Sequence, residues 1–272
     1  MLRFVQMRYS YFGTSAWRSK ASRDKAILFD PDRLAERFRM FQQVALASLR
    51  DQEDEDFVLG ILTSEDLPKD HLKLLREAAG DVLGDRARIY PRPPAKAGEV
   101  FREIQQELVA GHGHDHVAQI VLDDDDALSA DFMTELRREA ELAIPRVPPH
   151  RPYCFLSFSR GVSLVREEGG GYGYYTRDVP YTNLGLTLIA RPDSPRNVYL
   201  VSHSKLAIHH PSRVVNDMRF YYLRSIHGSN DSRGLFKPEK PLKPFQMRLL
   251  RERFPLLADL DPARDEAPLA AE

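Results

Sequence analysis

The sequence is poor in the features that would assign it to several protein classes at once. It has one cysteine, Cys154, among 272 residues, which excludes a disulfide framework and a cysteine-rich zinc site and suits a reducing cytoplasm. It has no apolar run near the ~20 residues of a membrane span. The amino-terminal "MLRFVQMRYSYFG" alternates like a strand and has no long apolar signal region. Charge of one sign is also lacking. Lys and Arg number 39, Asp and Glu 40, for a net of −1, so no broad basic field exists to hold nucleic acid. No internal repeat is visible, and 42% apolar residues is ordinary for a chain that buries a core.

What is present is strand–helix alternation. After strand-like residues 3–12, "FDPDRLAERFRMFQQVALASLRDQ" predicts a helix with Asp30 as cap and Pro31 at its first position. Leu34, Phe38, Phe41, Ala45 and Leu49 recur at helical spacing and mark its core face. "DFVLGILT" (56–63) is short and continuously apolar, as a parallel strand buried on both faces is. "KDHLKLLREAAGDVL", "RARIY", "AGEVFREIQQELVAG" and "HVAQIVL" continue as helix, strand, helix and strand. "SADFMTELRREAELA" predicts a helix with Ser129 as cap. The pattern implies an α/β fold with a mostly parallel central sheet flanked by helices.

The Pro-rich "IPRVPPHRPY" (144–153) interrupts the alternation. Beyond it, "YCFLSFSRGVSLVR", "GLTLIAR" and "NVYLVSHS" predict strands, and residues 209–232 a short helix ending in a polar loop. We therefore expect residues 1–144 and 145–255 to be two halves of one compact unit, the second a mixed or antiparallel extension, with a flexible tail over 256–272.

The most unusual stretch is "VLDDDDALSADFM" (121–133). Asp123, Asp124, Asp125 and Asp126 follow an apolar strand, at the carboxyl edge where α/β sheets bind ligands. Two carboxylates about 4 Å apart repel by roughly 4 kcal/mol at an effective dielectric of about 20. The cluster must therefore be solvated, partly protonated or neutralised by a cation. A capping acidic turn is the plain reading. A divalent-metal site for a nucleotide diphosphate is another, since Mg²⁺ and Mn²⁺ prefer carboxylate oxygen, with Asp126 orienting the loop. A phosphatase-type D-x-D is a third, but that motif normally ends the first strand of its domain. An EF-hand fails, because Leu128 and Thr134 stand where Gly and Glu are required.

Taken in order, "RYSYFG", "LFDPDRLAERFRMF", "LTSEDLP" and "LDDDDAL" resemble the bacterial putative rhamnosyltransferase family of GT-A glycosyltransferases. The resemblance implies a GT-A-like fold, a nucleotide-diphosphate-sugar donor, a glycan acceptor in surface polysaccharide synthesis, and Mg²⁺ or Mn²⁺ as cofactor. It places Asp123 and Asp125 on the metal, and Tyr9, Ser10, Tyr11, Ser64, Glu65, Asp123 and Asp124 against the nucleotide sugar. Thr63-Ser64-Glu65 stands where the family usually has Asp-Gly-Ser. In "SIHGSNDS" (225–232), His227 is a candidate third metal ligand, the alternative being an ordinary helix end. Asp178 is the first candidate for general base and Asp217 the second. Alternatives of another class are a domain that binds nucleotide sugar or glycan without turnover, and the phosphatase. The setting implied is cytoplasmic, with no transmembrane segment and a peripheral membrane contact left open.

Three further features carry less. His112, His114 and His116 in "GHGHDHV" suit a solvated loop better than zinc. "GGGYGYY" (169–175) has Tyr174 where the dinucleotide fingerprint needs its third glycine. Arg191, Arg196 and Arg213 suit a solvated surface as well as a phosphate.

Overall fold

A computed structural model describes residues 1–13, 24–167, 170–227 and 240–262. Strands β1 (Leu2–Arg8), β2 (Val58–Ser64), β3 (Ala87–Arg92) and β4 (Val117–Val121) are parallel and lie in the order β4-β1-β2-β3. β1, β2 and β4 are buried on both sides, whereas β3 at the edge of the sheet is only partly covered. Val5 and Met7 face one core and Phe4 the other, as do Leu59 and Ile61 against Leu62. Gly60 is needed here, because a Cβ would stand 2.5 Å from the Phe4 ring.

Helices cover both faces. The predicted first long helix is one run, α2 (Pro31–Met40), a π-helical turn (Phe41–Leu46) and α3 (Ala47–Arg50), preceded by the short α1 (Lys25–Leu28). Asp30 caps it by accepting from the Arg33 backbone N–H at 3.0 Å, and Pro31 opens it. It packs with α4 (Lys69–Leu83) and α6 (Phe132–Ala143) on one face. Helix α5 (Ala97–Val109) covers the other through Val100, Phe101 and Ile104. The α6 cap differs from expectation. The helix begins only at Phe132, and the Ser129 hydroxyl donates to Asp131 instead of capping.

The carboxyl-terminal half is mixed. "YCFLSFSRGVSLVR" divides at Ser159 into β6 (Tyr153–Phe158) and β7 (Arg160–Arg166), which belong to different sheets. β6, β9 (Thr187–Ala190) and β10 (Ser212–Val215) extend the main sheet to the order β10-β6-β9-β4-β1-β2-β3, with only β9 antiparallel. One sheet thus runs through both expected halves. A second sheet, β5-β11-β7-β8, holds β5 (Ala127–Leu128), β8 (Tyr172–Asp178) and β11 (Tyr222–Ile226). β10 and β11 were not expected from the sequence. The expected strand at 197–204 is two 3-10 turns, because the Asn197 side chain accepts from the Tyr199 N–H and Gln119 takes the Val198 N–H. A single-turn helix α7 (Leu206–His209) follows.

Near the end, α8 (Pro244–Arg253) and α9 (Leu257–Leu260) pack on the second sheet. Leu256 and Leu257 are buried, and Asp261 accepts from the Tyr174 hydroxyl at 2.8 Å. The packed chain thus extends through the first part of the expected tail, whose remainder lies outside the described residues, as do Trp17, Arg18, Lys20 and Gly228.

Candidate functional site

The parallel strands end on one edge, and that is where the candidate residues gather. Leu122 donates its N–H to Gln6 O, so the chain leaves β4 beside the end of β1. Asp123–Asp126 then form a turn closed by the Asp126 N–H to Asp123 O at 3.3 Å. The chain re-enters a sheet at β5, which pairs antiparallel with β11 through Ala127–Leu223 and Leu128–Tyr222. Carrying that register past β5 brings the end of β11 alongside the turn. This is why Ser225 donates its N–H to Asp126 Oδ1 at 2.8 Å, and why His227 Nε2 lies 3.1 Å from Asp125 Oδ2.

Each aspartate therefore has its own partner. Asp123 faces Arg8 of β1 at 3.7 Å. Asp124 is buried and takes a two-pronged ion pair from Arg37 of α2, with Nε to Oδ2 at 2.9 Å and Nη2 on Oδ1. Asp125 meets His227, and Asp126 the Ser225 amide. The repulsion expected from four adjacent carboxylates is met by side-chain cations and a backbone amide of this chain, before any metal is considered.

The environments divide the cluster. Burial pushes Asp124 up to about 6, with Asp125 adding to the rise and Arg37 opposing it. Burial and the neighbouring Asp125 and Asp123 push Asp126 well above the ordinary carboxylate range. Asp125 lies below that range: burial works to raise it, but the hydrogen bond from His227 and the charge of Arg37 outweigh this.

The Asp126 shift makes a testable statement. A raised folded-state pKa means its stability contribution is complete below the unfolded value and is lost as pH rises through the folded one. Asp126→Asn keeps the acceptor for Ser225 and never ionises. Its melting temperature should gain on the parent as pH rises, little at about pH 5 and clearly at about pH 8. A gap that shrinks with rising pH would refute this origin.

The other candidates are placed as follows. Ser64 Oγ accepts the Phe12 N–H at 2.6 Å and lies 3.3 Å from Ser10 O, so it fastens the β1 and β2 ends together. The loops at 9–13, 63–66 and 123–126 all leave adjacent parallel strands at the same edge, and Ser64 is spent on holding the first two together. The Tyr9 phenol is buried, 2.7 Å from His71 Nε2 and edge-on to Phe41, and burial raises its pKa. The Tyr11 phenol donates to Pro93 O and accepts from the Ala95 N–H. Ser10 takes a left-handed φ of 43°, and its hydroxyl is buried without a hydrogen-bond partner among the described residues. Glu65 is exposed.

Neither general-base candidate reaches the turn. In the β7–β8 hairpin, Arg166 opposes Tyr172 at the His227 end and Arg160 opposes Asp178 at the other. Six residues of strand put Asp178 about 20 Å away. Asp217 follows β10, where it accepts from the Arg219 guanidinium and N–H and from the Tyr221 hydroxyl at 2.7 Å. Those bonds hold its pKa below the usual range against the opposing effect of burial. A second carboxylate that feels His227, besides Asp125, is Glu36 of α2, held by Arg39 and by Arg166 at 3.0 Å. The hydrogen bond from Arg39 lowers its pKa, and the charges of Arg166 and His227 add to this.

His114 and His116 line a cavity of about 730 Å³ with Tyr153, Cys154 and Arg191, at the amino edge of the sheet. Arg213 pairs with Glu139 at 2.6 Å, and Arg196 stacks 4.0 Å from the Tyr153 ring centre.

A metal can be tested against the donor set. Among the described residues, no group of three or more His, Cys, Asp or Glu side chains is arranged to hold one. Asp125 and His227 nonetheless offer carboxylate oxygen and imidazole nitrogen side by side. Hard divalent cations commonly take one or two carboxylates and complete their shell with phosphate oxygens and water. The residues fit such an ion when a diphosphate supplies the remaining ligands.

The family described as "Putative rhamnosyl transferase" matches residues 5–238, which span every element of this edge. The chain belongs to that family. It is thus a member of a glycosyltransferase family, with an α/β fold that is mostly parallel in its central sheet. Among solved structures, S. aureus TarS 1-349 is similar at 12% identity and a TM-score of 0.41, over 83% of this chain and 60% of that one. A second S. aureus TarS structure is 11% identical with a TM-score of 0.41, over 100% and 46%. The chain therefore spans less than two thirds of either. A putative nucleotide-diphospho-sugar transferase from Desulfovibrio desulfuricans G20 is 13% identical with a TM-score of 0.34, over 96% and 99%. No curated protein matches this chain. No described helix is long and apolar enough to cross a membrane.

Arg37 and Glu36 escaped the sequence reading. Position 37 falls three after Leu34 and four before Phe41, on the apolar side of the helix. An arginine there is the one available signal, since a buried guanidinium requires an acid.

Proposed function

We propose that this chain transfers a sugar, rhamnose by the family's label, from a nucleotide-diphosphate donor to a glycan acceptor in surface polysaccharide synthesis. The proposed setting is the cytoplasm, with Mg²⁺ or Mn²⁺ as cofactor. The observation that supports this reading is the Asp125–His227 contact at the carboxyl edge of a parallel sheet. A nucleotide diphosphate brings two phosphates to such an edge, and Asp125 and His227 would hold the cation between protein and diphosphate. When bound, that cation neutralises charge developing on the leaving diphosphate.

The chain's own residues do the remaining work. Arg37 fixes Asp124 and with it the turn. Arg8, beside Asp123 and 4.8 Å from the Tyr199 ring centre, adds positive charge at the end of β1. The Ser10 hydroxyl has bonding capacity for the nucleoside, and Glu65 is exposed for the same part of the donor.

A calorimetric screen of nucleotide-diphosphate sugars with and without Mn²⁺ tests the reading. Binding should require both partners. Slow hydrolysis of the bound donor separates a transferase from a domain that only binds. A screen in which no nucleotide sugar binds with Mn²⁺, or with Mg²⁺ in its place, would sink the proposal.

A further inference from the structure

We propose that α8 docks this protein on an anionic lipid surface. The inner side of the helix is fixed. Leu250 and Phe254 are buried with Met40, Val44, Tyr174 and Phe220. The segment before it runs along β8, where the Thr176 N–H donates to Lys240 O and the Leu242 N–H to Tyr174 O, both at 2.9 Å. The outer side is therefore presented on a rigid support. It carries Phe245 and Leu249, one helical turn apart and 55% and 44% exposed.

Charge names the occupant. Lys240, Lys243 and Arg248 are exposed in the same segment as the two apolar side chains, with Glu252 the one exposed acid on the helix. Between 240 and 253 the sequence has five basic residues and one acid, Glu252, in a chain whose net charge is −1. Arg253 is drawn inward to Asp131 at 2.7 Å, and Arg251 donates to Asp261 O. The three outer cations are left to face solvent. An apolar pair in a cation-rich segment matches a bilayer interface, with rings and branched chains below the headgroups and amines among the phosphates. A second copy of the chain fits less well. Its own basic face would repel this one, and two side chains supply far less than the roughly 800 Å² per partner of a stable interface.

The inference is independent of the transferase reading, since docking needs no donor. It implies that an acceptor would be met at a membrane.

Co-sedimentation of the full chain with vesicles tests it. Phosphatidylcholine vesicles containing phosphatidylglycerol should retain the protein, pure phosphatidylcholine should not, and salt should weaken retention. Phe245→Ser with Leu249→Ser should lower binding roughly tenfold or more. Lys240→Glu, Lys243→Glu and Arg248→Glu together should abolish it. All five side chains are exposed, so melting temperatures should stay close to the parent's. The proposal is overturned if the parent ignores phosphatidylglycerol, or if the serine variant binds like the parent. A dimer in sedimentation velocity that separates on the serine substitutions would also overturn it, by assigning the face to a second copy.

Discussion

Replacing Arg37 with methionine is expected to destabilise the fold by about 3–5 kcal/mol, the usual consequence of leaving one member of a buried ion pair alone. Arg37 is 4% exposed and Asp124 1%, so water rescues neither. Burial already pushes Asp124 up to about 6 with the guanidinium in place. Without it, the folded-state pKa must rise further, because the main opposing charge has gone. A raised folded pKa gives stability that is complete below the unfolded value and lost as pH rises through the folded one. The Arg37→Met penalty should therefore be modest near pH 5 and grow toward about pH 8, as the range over which Asp124 resists ionising widens upward. Adding Asp124→Leu removes the stranded acid, so the double variant should be more stable than Arg37→Met alone above neutral pH. Urea unfolding at the two pH values measures all of this. Additive penalties, or a single-variant loss under about 1 kcal/mol, would show that the pair is not coupled as its geometry implies.

That pair also shows where reading from sequence ends. β1 was legible by its alternation, β2 and β4 because strands buried on both faces leave largely apolar runs, and the helices between them by a 3.6-residue period. Their order placed Asp123–Asp126 at the carboxyl edge. His227 was singled out only through the family resemblance, with an ordinary helix end as the alternative; it follows a strand instead, and the β5–β11 register brings it to Asp125. What pattern could not show is how single residues pair across long separations. Arg37 and Asp124 are 87 positions apart, and hydrophobic periodicity carries no term for such a pair. β6 and β7 read as one strand because only Ser159 separates them in the chain. Asp178 looked close to the Tyr-rich loop in sequence, yet β8 carries it to the far end of its hairpin. The metal argument also changes. From sequence the four carboxylates had to be solvated, partly protonated or neutralised by a cation; Arg8, Arg37, His227 and the Ser225 amide already attend to them.

The second large effect is on function. Asp125→Asn should lower sugar transfer by at least two orders of magnitude and remove the dependence of donor binding on Mn²⁺, because a neutral amide replaces the anionic oxygen that a hard cation prefers. Its stability cost should be small. The folded state favours the charged form of Asp125 through His227 and Arg37, so removing the charge forfeits that preference. It also relieves the burden of Asp125 on Asp124 and Asp126, both of which it pushes up. The two effects oppose each other, and the net should be about 1 kcal/mol or less, the scale of one hydrogen bond. His227→Ala should follow the same pattern with a smaller loss of activity, since the carboxylate remains. Arg37→Met provides the contrast: it should lose stability first, and recover donor binding when assayed under conditions where it is folded. If Asp125→Asn unfolds the protein while metal-dependent donor binding persists in what remains folded, the Asp125–His227 contact is a structural clasp of the turn, and the donor's cation must be sought elsewhere on this edge.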